Sequence, residues 1–239
     1  MNDLENFVFN NESVDSTVPY KHSLRSRNKD TWSLLESTFP LDDNFYNSRF
    51  FKTQLNKDMS TLNDIKSSSL PEVWKEFLKV LKSNEYKSTL IEYLGRGKLD
   101  DFRLEIKFQT SILETENSLI THIDTSRKTV SEIFFFNKAV EGGDHILYTP
   151  IVEDIKKKVA YKNNLTEPLN GLVINKDETI KYLNEVKRIN INGPVSLIFK
   201  NDEHSWHSVD KSSLNEVRKS LNVRLIDTRI EKLQKNYKG

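Results

Sequence analysis

Residues 102–108 read Phe102-Arg103-Leu104-Glu105-Ile106-Lys107-Phe108. Apolar and charged side chains alternate strictly, which is the two-residue period of a half-buried β-strand. Downstream lie further short apolar runs: Ile112-Leu113, Leu119-Ile120, Val130 to Phe136, Ile146-Leu147-Tyr148 after Gly142-Gly143, Val195 to Phe199, and Leu221 to Ile226. Short strands separated by turn residues predict a sandwich or small barrel of antiparallel strands, not alternating β–α units. The lysine- and asparagine-rich stretch 150–190 predicts an insertion or lid that ends in a strand near Val186 to Ile191.

Upstream of this stretch the period changes to that of helices. Trp32, Leu34, Leu35 and Phe39 predict a helix that stops before Pro40, because proline disfavours helical geometry in the residue ahead of it. A second helical stretch begins at Ser69-Leu70-Pro71, with proline expected at the first helical position. Val73, Trp74, Phe77, Leu78 and Leu81 recur at three and four, and Leu90, Ile91 and Leu94 continue the pattern to Gly95. Residues 1–29 are polar and irregular and predict an arm laid over the body. The expected organisation is therefore one domain over 1–239. It has a helix-rich N-terminal layer over 1–100 and a β core over 101–229 that carries the insertion.

Composition narrows the function. Lysine plus arginine number 36 and aspartate plus glutamate 35, a net charge of +1 in 239 residues. A protein living on a phosphate backbone would show a clustered basic excess, so no nucleic-acid partner is expected. The absence of cysteine excludes disulfides, thiolate metal sites and cysteine nucleophiles. No apolar run approaches the roughly 20 residues of a membrane helix. The opening MNDLENFVFNNESVD is acidic and polar, unlike a signal peptide. A soluble, cytoplasmic chain with no membrane partner is expected.

Two clusters can carry chemistry. In Thr121-His122-Ile123-Asp124, residues i and i+2 of an extended strand share one side, so His122 and Asp124 face one cavity while Ile123 packs the other way. One imidazole and one carboxylate held thus are two adjacent metal ligands. They are also compatible with a strand-end histidine that has an incidental neighbour. The second cluster is Trp206-His207-Ser208-Val209, with Arg218 eleven positions after His207 and Ser220 two further on. His207 would complete two imidazoles and a carboxylate, the facial triad suited to non-haem Fe(II). Arg218 and Ser220 on one strand face could hold a carboxylate, the guanidinium bidentately.

His122-x-Asp124, Trp206-His207-Ser-Val209 and Arg218-x-Ser220, in that order, resemble the Fe(II)/2-oxoglutarate-dependent oxygenases of the prolyl-hydroxylase kind. Ser131-Glu-Ile-Phe-Phe-Phe-Asn137 matches the strand after the aspartate, and Gly142-Gly143-Asp-His-Ile-Leu-Tyr148 matches that family's glycine turn. The resemblance covers roughly 100–227. It implies a double-stranded β-helix (jelly roll, cupin-like), with iron on His122, Asp124 and His207 as catalytic and metal residues. It implies the distal carboxylate of 2-oxoglutarate on Arg218 and Ser220. The implied reaction uses O2, releases succinate and CO2, and hydroxylates a primary substrate that the sequence does not name: a small metabolite, a sugar or a protein side chain. Asp124, where a halogenating variant has glycine or alanine, argues against halogenation. Two features depart from the family pattern. The interval from Asp124 to His207 is long, and Gly193-Pro194 stands where many relatives carry asparagine.

Simpler readings stand beside these. A jelly-roll module that binds carbohydrate or protein without catalysis fits the same strands. His204 and His207 form His-x-x-His, a possible zinc pair. His145 reads as a strand-edge residue or a substrate contact, and Trp206 as packing. Arg127 and Lys128 read as solvated loop charges or contacts to an anion, and Lys156 to Lys158 as a solvated face. His22 is assigned no role.

Overall fold

The computed structural model describes residues 3–10, 12–40, 70–112, 119–138, 142–152, 155, 173–174, 181–210 and 217–236. The predicted insertion falls largely outside the described residues, as do the predicted lysine face at Lys156 to Lys158 and residue 113.

The strand expected from the alternation at 102–108 is β3 (Phe102–Ile112). It forms the edge of a six-stranded antiparallel sheet ordered β1 (Ser13–Ser16), β2 (His22–Ser26), β9 (Val195–Lys200), β5 (Lys128–Phe135), β11 (Val217–Asp227), β3. A second antiparallel sheet of five strands lies in the order β7 (Val173–Ile174), β4 (Leu119–His122), β10 (Trp206–Val209), β6 (His145–Pro150), β8 (Leu183–Ile189). Two antiparallel sheets wound through crossing connections form the jelly-roll core, with helices on one side.

Apart from its exposed end strand β1, the larger sheet is covered on both faces, and parity decides what each face meets. Phe102, Ile106 and Phe108 of β3, Val130 and Phe134 of β5, and Leu221, Val223 and Leu225 of β11 point to the helices. There they pack on Phe7 of α1 (Asp3–Phe9), Leu35 of α2 (Lys29–Ser37), Trp74 and Phe77 of α3 (Glu72–Leu81), and Leu90 of α4 (Asn84–Leu94). Phe39, just past the end of α2, joins Trp74, Phe108 and Phe136 in edge-on and tilted ring contacts at 5.2–5.7 Å. Such pairs add about 0.5–1.5 kcal/mol each beyond area burial. Of the charged residues of β3, Glu105 and Lys107 turn to the other face and are largely covered there, while Arg103 stays partly exposed. Glu105 pairs there with Arg224 of β11 at 3.3 Å.

Two local expectations are corrected. The helical run from residue 71 to 94 is two helices, not one. Ser83 caps α4 by accepting from the Tyr86 backbone N–H at 3.1 Å, and Pro71 sits at the N-cap with extended ψ instead of the first helical position. Gly95 ends α4 in the left-handed region at φ 80°, where a side chain would be strained.

The described residues of 1–29 are not an arm but part of the architecture. Residues 3–9 form α1, and β2 pairs with β9 along its whole length. Polarity hid this, because His22 and Arg27 are polar yet buried and hydrogen-bonded internally. Arg27, just past β2, is buried and donates to the Phe7 and Val8 carbonyl oxygens at 2.8 Å, to Ser196, and to Glu132. Glu132, fully buried on the helix-facing side of β5, also accepts from Tyr86 of α4 at 2.7 Å and Ser196 at 2.9 Å. One carboxylate thus ties α1, α4, β5 and β9 together. A final helix, α5 (Thr228–Asn236), follows β11. No described helix is long and apolar enough to cross a membrane.

Candidate active site

β4 and β10 are antiparallel neighbours in the smaller sheet, and their register sets His122 directly opposite His207. Their ring centroids are 4.3 Å apart. Alternation holds along β10 and through Ile123 and Asp124, just past the end of β4. Ile123 and Trp206 turn outward into a shared apolar cluster with Ile146, Tyr148 and Ile174, while His122, Asp124 and His207 face inward. Trp206 is thus a packing residue that fixes the orientation of its neighbour.

The three line one cavity of about 40 Å3, room for about three water molecules. His207 Nδ1 lies 2.8 Å from the Ser205 carbonyl oxygen. A carbonyl can only accept, so Nδ1 carries the proton and Nε2 is the lone-pair nitrogen, the tautomer that a metal-ligating histidine needs. Burial alone would raise the Asp124 carboxyl. Lys128, then His207, Arg224 and His122, instead hold it well below the usual carboxylate range, so it is an anion. The Lys128 ammonium donates directly to Asp124 Oδ1. Among the described residues no three His, Asp or Glu side chains are gathered closely enough to hold an ion. The donor types nevertheless suit Fe(II), and the position a cation would take at Asp124 is held by another cation.

The opposite wall comes from β11. Arg218, Asn222 and Arg224 recur at even spacing and face the cavity. Arg218 is 5% exposed and lies over the Phe135 ring at 5.2 Å. Its Nε and Nη2 groups are buried without a hydrogen-bond partner among the described residues. Burial pulls its pKa down to about 10. Ser220 shares the strand face, but its hydroxyl donates to the Gln109 carbonyl oxygen at 3.4 Å and accepts from Asn222 at 3.3 Å. Asn222 also donates to the Gln109 side chain at 2.9 Å. Gln109 and Asn222 line the cavity, and Ser220 stands behind them.

No protein-family model matches the sequence, and no curated protein is similar to it in sequence. The fold has known counterparts. A prolyl 4-hydroxylase of Phytophthora capsici superposes with a TM-score of 0.50 at 13% identity, over 87% of this chain and 59% of that one. The chain has the fold of a prolyl 4-hydroxylase. It spans about 59% of the length of that relative. Also similar are a Trichoplax adhaerens prolyl hydroxylase solved with a hypoxia-inducible-factor peptide (14% identity, 96% and 92% coverage, TM-score 0.49) and a Pseudomonas putida prolyl-4-hydroxylase (12%, 93% and 98%, 0.46). The jelly roll expected from the sequence resemblance is thus the fold of the chain.

Within this prolyl-4-hydroxylase fold the other expected residues sort clearly. His204 is exposed at the β9–β10 turn beside Glu203, whereas His207 is buried, so the two do not form a zinc pair. Arg127 pairs with Glu231 of α5 at 3.1 Å. His145, read as a strand-edge residue, is only 2% exposed and stacks on His207 with ring centroids 5.1 Å apart at 20°. His22 is fully buried on β2, with Nδ1 donating to the Tyr20 carbonyl oxygen at 2.8 Å and Lys187 Nζ donating to Nε2 at 3.3 Å. The even spacing of Arg218, Asn222 and Arg224 was the available signal for the two wall residues beyond Arg218.

Proposed function

We propose that this chain is an Fe(II)- and 2-oxoglutarate-dependent dioxygenase, an oxidoreductase that hydroxylates a primary substrate and releases succinate and CO2. The observation that supports it best is Arg218. A buried guanidinium with no carboxylate partner among the described residues is costly, because an unpaired buried charge destabilises a fold by several kcal/mol. Its orphaned Nε–H and Nη2–H lie on one edge of the guanidinium, the side that grips a carboxylate bidentately. It faces the cavity lined by His122, Asp124 and His207.

His122, Asp124 and His207 would hold the iron, and Arg218 the distal carboxylate of 2-oxoglutarate, with Ser220 behind it. Fe(II) with 2-oxoglutarate and O2 supplies the oxidising chemistry. The chain supplies geometry. The Ser205 carbonyl fixes the His207 tautomer, and the anionic Asp124 accepts a cation once Lys128 withdraws. Ile133, Phe199 and Val209 are the apolar side chains of the cavity lining, and they limit water there.

The Lys128–Asp124 pair favours a second reading, a jelly-roll module that binds a carboxylate without metal or turnover. Anaerobic addition of Fe(II) and 2-oxoglutarate separates the two. The dioxygenase gives a weak visible metal-to-ligand absorption band and, on admitting O2, succinate. The binding module gives neither, and that result overturns the proposal.

A further inference from the structure

The site holds a second orphan besides Arg218. Both ring nitrogens of His145 are buried without a hydrogen-bond partner among the described residues, and the residue is 2% exposed. A neutral imidazole carries one N–H donor and one acceptor, and leaving either unmade in the interior costs free energy unless a ligand completes it. His145 lines the same cavity as Arg218 and senses its charge. Its ring plane is set by packing between the His207 and Phe199 rings, at 5.1 and 5.8 Å. Its strand position is fixed by antiparallel pairing with Val209 on one side and Ile189 on the other. The ring is thus firmly placed, with hydrogen-bonding capacity that no described residue takes up.

We propose that His145 is a further binding residue for the 2-oxoglutarate carboxylate that Arg218 grips, donating its N–H to an oxygen of that group. This rests on the dioxygenase reading above. A carboxylate offers about four lone-pair sites. The side-on edge of Arg218 uses two, and Ser220 is already engaged with Gln109 and Asn222. His145 supplies the missing donor from the opposite sheet, so the anion is clamped between β11 and β6. Because neither nitrogen has a partner among the described residues, the tautomer adjusts to the bound anion.

Calorimetric titration of the full chain with 2-oxoglutarate, without added metal and again with non-turning-over Mn(II), tests this. His145→Phe keeps the ring and the packing but removes the donor, and His145→Gln keeps a donor. The Phe variant is expected to bind 2-oxoglutarate about tenfold or more weakly, as for loss of a hydrogen bond to a charged group. The Gln variant is expected to recover most of that loss. The unliganded Phe variant should melt no lower than the parent, since it removes an unsatisfied buried group, which separates a binding defect from a folding defect. Parent-like 2-oxoglutarate affinity in His145→Phe, with binding still lost in Arg218→Met, overturns this inference and leaves the dioxygenase reading standing. A parent chain that binds no 2-oxoglutarate under either condition overturns both.

Discussion

His122 and His207 face each other across two adjacent antiparallel strands with ring centroids 4.3 Å apart, although 84 residues of chain separate them. Strand pairing, not local sequence, makes this contact, and Asp124 joins it by lying two residues beyond His122. Replacing His122 or Asp124 by alanine should abolish 2-oxoglutarate-dependent succinate release while leaving the far-ultraviolet circular dichroism unchanged. The helix-facing core, built on Phe7, Trp74 and Phe134, does not involve them. Succinate release at the parent rate by either purified variant would remove them from the site.

Lys128 competes for Asp124. Its ammonium is held by a carboxylate that a divalent cation would also seek, and burial pulls the lysine pKa down against the opposing pull of Asp124. Lys128→Met removes the competitor with little change in side-chain length. Mn(II) affinity, measured by calorimetry, should then rise about tenfold, the order of one charge-assisted hydrogen bond. An unchanged or lower affinity would mean that the cation does not displace this lysine.

Arg218 carries an opposite signature in stability and in binding. Arg218→Met exchanges an unpaired buried cation for an apolar side chain of similar length, so the unliganded protein should gain thermal stability. The same variant should raise the KM for 2-oxoglutarate by about tenfold or more, since a lost hydrogen-bonded anchor to a charged group is worth about 1.5–3 kcal/mol. Thermal unfolding with and without 2-oxoglutarate reads the stability gain and the lost binding, succinate release reads the KM, and a parent-like ligand-induced rise in Tm would refute the anchor.

The alternation at Phe102 to Phe108 revealed the strand, but not which face met water. Helices cover the apolar side, and Glu105 turns its charge to the interior, a placement that only tertiary structure decides. His122 and Asp124 were legible because parity on a strand needs no long-range information. His145 was not, since Ile146 and Leu147 are both apolar and pack on opposite sides of their sheet, Ile146 outward and Leu147 inward. The pattern therefore gives no inward direction. The strand at His22 to Ser26 was hidden for a different reason: Ser23 and the following Arg27 are polar yet buried, and Arg27 is matched to Glu132 on a strand more than a hundred residues away. Sequence patterning reads burial from apolarity, and paired buried charge defeats it.

That pairing makes Glu132 a structural keystone with a measurable pH signature. Burial alone would raise its pKa, but Arg27, then Arg25, with hydrogen bonds from Tyr86 and Ser196, hold it below the ordinary glutamate value. A carboxyl whose folded pKa lies below its unfolded one binds fewer protons in the native state. Its stabilisation is complete above the unfolded value of about 4.3 and is lost as pH falls from there through the folded pKa. Glu132→Ala leaves Arg27 buried and unpaired and should cost about 3–5 kcal/mol in urea unfolding at pH 7. The double variant Arg27→Met/Glu132→Leu removes the charge with its partner, so it should recover much of that loss. It should also show a shallower decline of stability below pH 4.5 than the parent. An equally steep acid decline in the double variant would show that other carboxylates, not Glu132, set the acid limit of the fold.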